Sequence, residues 1–154
     1  MKKKYIFIIS ILIIFIDQII KKMVSMFMLD GISKNFIGQV IKLSKAYNTG
    51  AAFSFGSNNT IIIIVINIIL IVGLVYFVLK NYNKVCNLNK ISFALIIGGG
   101  ISNLVDRIFR GYVVDYLSFN IGSLYFPIFN FADVCIVLSI IFIFVHMLKE
   151  DLWK

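Results

Sequence analysis

One histidine, one proline, two cysteines and seven acidic residues are the whole supply of those types in a chain of 154 residues. The shortage of histidine removes most hydrolytic metal chemistry. There is no HExxH, and His146 lies near the far end of the last apolar run. A Ser-His system fails for the same reason, and no G-x-S-x-G is present. Neither a metal nor another cofactor is expected. A Ser-Lys dyad is conceivable from Lys21 and Ser25, spaced i,i+4, but it needs a desolvated lysine and Asp17 sits one turn away. Cys86 falls between two apolar runs and Cys135 opens another, neither in CxxC or metal-type spacing. If those positions face opposite sides of a membrane, they lie about 30 Å apart, beyond the reach of a disulfide. Polar surface is scarce too. A chain that is 60% hydrophobic, with a mean hydropathy of +0.98, has little to cover a soluble domain.

What is present is four long apolar runs: Tyr5–Ile20, Thr60–Leu79, Ile91–Ile108 and Ala132–Leu148. Each is near the roughly 20 residues that a helix needs to cross hydrocarbon, and a spanning segment must satisfy its backbone internally. The first run follows Lys2, Lys3 and Lys4 like a signal peptide, but Asp17, Lys21 and Lys22 stand where a small-residue cleavage site belongs. The expected fold is one all-α membrane domain over residues 1–154, with transmembrane helices at about 5–28, 60–79, 91–109 and 132–148. The net charge of +8 comes from basic residues that flank the runs rather than forming a stripe, so nucleic acid is not expected as a partner. The N-terminal lysines put both termini in the cytoplasm, with Lys80, Lys84 and Lys90 on the same side. Trp153 reads as an interface anchor. The first outside loop, about residues 21–59, alternates in places and turns at Gly38 and at Asn48–Gly50, which predicts a small extracytoplasmic β-element there.

Of the acidic residues, Asp30 is in that loop and Glu150 and Asp151 are at the tail. Asp17, Asp106, Asp115 and Asp133 lie inside or beside the apolar runs, where a charge costs roughly 2.5–3.5 kcal/mol near a helix centre. At about 1.5 Å per residue, Asp17 stands about 20 Å above Lys4 and Asp106 about 24 Å above Lys90. Asp133 opens the fourth run, and Asp115 follows the third. The four therefore share one level near the outer surface with Lys21, Asn103 and Arg107. Alternatives stand beside this reading. Asp17 and Lys21 suit a helix ion pair. Asn103, Asp106, Arg107 and Arg110 form a bundle-facing stripe, a snorkelled rim or a substrate-facing set. Asn48–Gly50 is a turn, and Gly98–Gly100 permit close helix packing. Asn130 is an N-cap with Asp133 at the third helical position, or Asp133 and Asp115 are a working pair. Two aspartates brought close share a proton. One can then activate water while the other polarises a carbonyl, which is aspartic peptide hydrolysis. The rival functions are a small ion- or proton-coupled transporter using the carboxylate layer and a structural membrane subunit.

Five segments in order, "DQIIK", "NTGAAF", "GGGISNLVDR", "VVDY" and "FNFADV", give the chain a resemblance over essentially its whole length. It resembles the lipoprotein signal peptidase (signal peptidase II) family, with no departure at any of these positions. The resemblance implies an integral-membrane aspartic endopeptidase of the bacterial cytoplasmic membrane. Its substrates are diacylglyceryl-modified prolipoproteins, cut before the lipidated cysteine near the outer face. It implies Asp115 and Asp133 as the catalytic dyad. Asn48, Gly50, Asn103, Arg107 and Asn130 hold substrate and dyad, and Asp17, Lys21, Asp106 and Ala132 support them. A monomer surrounded by membrane lipid, open to globomycin-type inhibitors, is expected.

Overall fold

The computed structural model describes residues 1–38, 40–50, 59–121 and 124–152; Ala51, Ala52 and Trp153 lie outside the described residues. Four helices carry the chain: α1 (Lys3–Phe27), α2 (Thr60–Lys80), α3 (Asn87–Arg110) and α4 (Phe131–Leu152). Among the described residues, α2, α3 and α4 are long and apolar enough to cross a membrane. The helix α1 is equally long at 25 residues but carries Asp17, Lys21 and Lys22 inside it. The outward faces are apolar: Ile61 is 76% exposed, Leu70 63% and Phe15 63%. Such faces need lipid rather than water against them.

The helix α3 is the hub, packed against all three others. Its three successive glycines each meet a different neighbour. A Cβ on Gly98 would stand 2.8 Å from Ser10 O of α1, on Gly99 2.7 Å from Ala132 O of α4, and on Gly100 3.4 Å from Ile71 of α2. The small-residue packing expected of Gly98–Gly100 is therefore present, and it divides by direction. Ser10 closes the α1 contact by donating to Ala94 O at 2.9 Å. The helix ends at Gly111, whose φ of 79° is the left-handed C-cap that L side chains avoid.

The strands are β1 (Ser33–Ile37), β2 (Ile41–Asn48), β3 (Val113–Ile121) and β4 (Leu124–Tyr125), in one antiparallel sheet of order β1-β2-β3-β4. This corrects the expected architecture. The β-element is not confined to the loop after α1, because β3 and β4 come from the segment after α3. The register pairs Ala46 with Asp115 and Asn48 with Val113, so the sheet joins the two loops. The strand β3 was hard to read because both its faces are covered. Val114 and Tyr116 pack with Val24 on one side, while Val113, Asp115, Leu117 and Phe119 line a cleft on the other. A strand buried on both faces loses the clean polar alternation. The expected helices differ at their ends: α3 starts at Asn87, where Cys86 caps it by accepting from Asn89 N–H at 3.4 Å.

Candidate active site

The strand β3 and the start of α4 bring Asp115 and Asp133 to one wall of a cleft of about 920 Å³, together with Asn48, Asn103 and Arg107. The approach is set by the segment just before α4. Phe129 N–H donates to Leu117 O at 2.9 Å, and Phe129 O accepts from the N–H groups of Tyr116 at 2.9 Å and Leu117 at 2.7 Å. This extra rung lays Asn130 beside β3.

Asn130 then does two things. Its Oδ1 accepts from Asp133 N–H at 3.0 Å, and its own N–H donates to Asp133 Oδ2 at 3.2 Å. That reciprocal pair is a capping box at the start of α4. Its Nδ2 meanwhile donates to Asp115 Oδ1 at 2.7 Å and to Asn103 Oδ1 at 3.2 Å. Capping and joining the two aspartates are thus one arrangement, not alternatives. Asn103 Nδ2 completes the set by donating to Asp133 Oδ1 at 2.8 Å. Asn48 does the same for the other carboxylate, donating to Asp115 Oδ2 at 3.0 Å, while its Oδ1 accepts from Gly50 N–H at 2.9 Å. The Asn48–Gly50 turn is real, and it aims the amide. Arg107 is buried, reaches Gly50 O at 2.6 Å, and among the described residues its Nε–H has no partner.

Behind this wall lies a second layer. Lys21 Nζ is wholly buried, 2.7 Å from Asp17 Oδ2 and 2.8 Å from Asp106 Oδ2, and it donates to Asn103 Oδ1 at 2.8 Å. The Ser-Lys dyad is excluded by this geometry, because Ser25 Oγ turns back to Lys21 O at 2.8 Å. Asp17 also accepts from Ser102 Oγ at 2.7 Å and from Ala132 N–H at 3.0 Å. A carboxylate of α1 thereby sits on the positive end of α4. Arg110 Nη1 lies 3.0 Å from Asp106 Oδ1. The polar stripe on α3 divides accordingly: Asp106 faces α1, Asn103 bridges to α4, Arg107 faces the cleft and Arg110 is the half-exposed rim. Ser102, Gln18 and Tyr116 were missed from sequence. Gln18 Nε2 donates to Asp106 Oδ1 at 3.1 Å and to Ser102 Oγ at 3.1 Å, and the Tyr116 hydroxyl accepts from Phe131 N–H at 3.1 Å. Gln18 and Ser102 share the level of Asp17 and Asn103 along their helices, the one signal for them in the sequence. Nothing in the sequence distinguishes Tyr116 from an interfacial tyrosine.

Burial pushes the Asp115 carboxyl up to about 6, opposed by the hydrogen bonds from Asn48 and Asn130 and assisted by the charge of Asp133. The four carboxylates of the two layers (Asp17, Asp106, Asp115, Asp133) face three cations, Lys21, Arg107 and Arg110. One proton on the pair Asp115/Asp133 leaves the assembly neutral. Among the described residues, no three His, Cys, Asp or Glu side chains are grouped to hold a metal ion. Both cysteines are free, and His146 meets Cys86 Sγ at 3.5 Å, apart from this site.

The chain matches the family model for signal peptidase (SPase) II over residues 9–149. It is 37% identical to a lipoprotein signal peptidase of Bacillus velezensis, covering 94% of each chain. It is 37% identical to that of Caldicellulosiruptor bescii over 88% of this chain and 85% of the relative. The Staphylococcus aureus enzyme is 32% identical over 97% and 94%. A solved structure described as a bacterial membrane enzyme superposes with a TM-score of 0.87 at 30% identity, covering 97% of this chain and 90% of that one.

Proposed function

Because the chain belongs to the signal peptidase II family, we propose that this membrane peptidase is an aspartic endopeptidase with Asp115 and Asp133 as its dyad. Its substrates are diacylglyceryl-modified bacterial prolipoproteins, cut just before the lipidated cysteine. The observation that carries this reading is Asn130, whose amide holds Asp115 while its backbone and Oδ1 hold Asp133. One residue thereby fixes both carboxylates at the wall of one cleft. The pair shares a proton, as the four-to-three charge count favours. The ionised carboxylate takes a proton from a water molecule as the water oxygen attacks the scissile carbonyl. The protonated one polarises that carbonyl, and a proton passes to the departing amine as the C–N bond breaks. Asn48, Asn103 and Asn130 keep the carboxylates in place, and Arg107 and Gly50 line the peptide's path.

The rest of the cleft suits the lipid. Leu117 and Phe119 of the sheet and Ile136, Val137 and Leu138 of α4 make its other surfaces apolar. Acyl chains remain in that apolar part while the peptide bond reaches the carboxylates. In this reading α1 is a fourth spanning helix. Its Asp17 and Lys21 are hidden against α3 and α4, while its outward side presents residues such as Ile11 and Phe15, with Lys22 exposed toward its outer end. Both termini are cytoplasmic, the sheet lies at the outer leaflet, the protein works as a monomer, and globomycin-type inhibitors occupy the cleft. The test is a gel shift of a diacylglyceryl-modified precursor. Asp115→Asn and Asp133→Asn each cut processing by on the order of 10²–10⁴-fold with membrane expression intact. Wild-type cleavage by either variant overturns the reading.

A further inference from the structure

The first three N–H groups of α4 have no partner within the helix, and each is met by a different element. Asp133 N–H goes to Asn130, Ala132 N–H to Asp17 of α1, and Phe131 N–H to the hydroxyl oxygen of Tyr116 on β3. Tyr116 is 3% exposed, in an apolar cluster with Val24 and Val114. A phenol so placed needs a polar partner. Its backbone is engaged as well, since Tyr116 N–H donates to Phe129 O at 2.9 Å. Tyr116 therefore grips the residues on both sides of Asn130 and is itself the chain neighbour of Asp115.

We propose that Tyr116 is a positioning residue for the dyad, clamping Asn130 between the two carboxylates through Phe129 and Phe131. The proposal rests on the aspartic peptidase reading for its catalytic consequence. The strand side of the clamp sets Asp115, and the helix side sets the turn that bears Asp133. Replacing the hydroxyl removes the one tie between Phe131 N–H and β3 and lets the carboxylates drift apart.

The test uses the full chain in lipid vesicles with a diacylglyceryl-modified precursor. Tyr116→Phe lowers kcat by about tenfold or more with KM little changed, since the loss is one of alignment. Its pH profile narrows, because two carboxylates further apart couple less. Tyr112→Phe, which alters a ring of the same cluster packed 4.7 Å from Tyr47, keeps the wild-type kcat. Hydrogen exchange at the Phe131 amide gives a readout independent of turnover, and in Tyr116→Phe it speeds up by about tenfold relative to the other first-turn amides of α4, beyond any general loss of stability. An unchanged kcat and pH profile, or unchanged Phe131 protection, overturns the clamp. Should Asp133→Asn cleave at the wild-type rate in the same assay, the peptidase reading falls, and the exchange measurement still decides the clamp.

Discussion

Asn130 uses its side chain in both directions, accepting from Asp133 N–H and donating to Asp115. Those two roles are separable by substitution. Serine keeps the capping oxygen and loses the amide donor; alanine loses both. Asn130→Ser therefore melts above Asn130→Ala by about 0.5–2 kcal/mol of stability, while both lose most activity; thermal melts and precursor cleavage on the two variants check this. Asp115 offers a second measurement. Its carboxyl, at about 6 against an ordinary 3.8, binds a proton more tightly in the folded chain. Its contribution to stability is thus full below 3.8 and is lost as pH rises through about 6. Asp133→Asn removes a like charge and brings the Asp115 titration down, still above 3.8 because burial remains the main cause. Asn48→Ala removes a hydrogen bond to the carboxylate and moves it up. Carboxyl-carbon NMR on aspartate-labelled protein reads both signs, and equal shifts in one direction contradict the assignment.

At the scale of the elements, α3 fixes where α4 begins. Gly99 touches Ala132 O, one residue before Asp133, so an added methyl group displaces the first turn of α4. Gly100 touches only the side chain of Ile71, at 3.4 Å, which can give way. Gly99→Ala is expected to lose on the order of 10²-fold in kcat through misplacement of Asp133, while Gly100→Ala stays near wild type. Single-turnover cleavage of the precursor distinguishes them. The same element shows what the sequence could and could not carry. Three adjacent glycines in an apolar helix announced close packing, but which neighbour each one meets depends on helix rotation, and that is set by partners far along the chain.

The whole molecule has two ends, one bearing the sheet and the polar site, the other bearing the basic loop between α2 and α3. In the proposed topology they lie on opposite sides of the membrane. With Cys86 and Cys135 replaced by serine, a cysteine at Lys34 reacts with an impermeant maleimide on intact cells, and one at Lys84 reacts only after permeabilisation. The reverse pattern overturns the topology. In the proposed topology, the burial of Asp17, Lys21 and Asp106 at 0% exposure is what lets α1 span the membrane with its Asp17 and Lys21 paired inside the fold. Each charge is spent on another, and removing one partner would leave the rest uncompensated.

The sequence by itself determined the apolar runs, the gathering of four aspartates at one depth and the cap of α4 at Asn130, because helix rise, hydropathy and capping are local properties. The five motifs carried the family for the same reason. Only the tertiary structure decided that β3 crosses over to pair with β2, that Lys21 serves Asp106 as well as Asp17, and that Tyr116 meets Phe131. Those are contacts between segments distant in the chain, where register and rotation are chosen by packing and by the need to pair every buried polar group. The capping segment at Phe129–Asp133 belongs to both classes: its local pattern sets where the helix begins, and its pairing with β3 sets which carboxylate it meets.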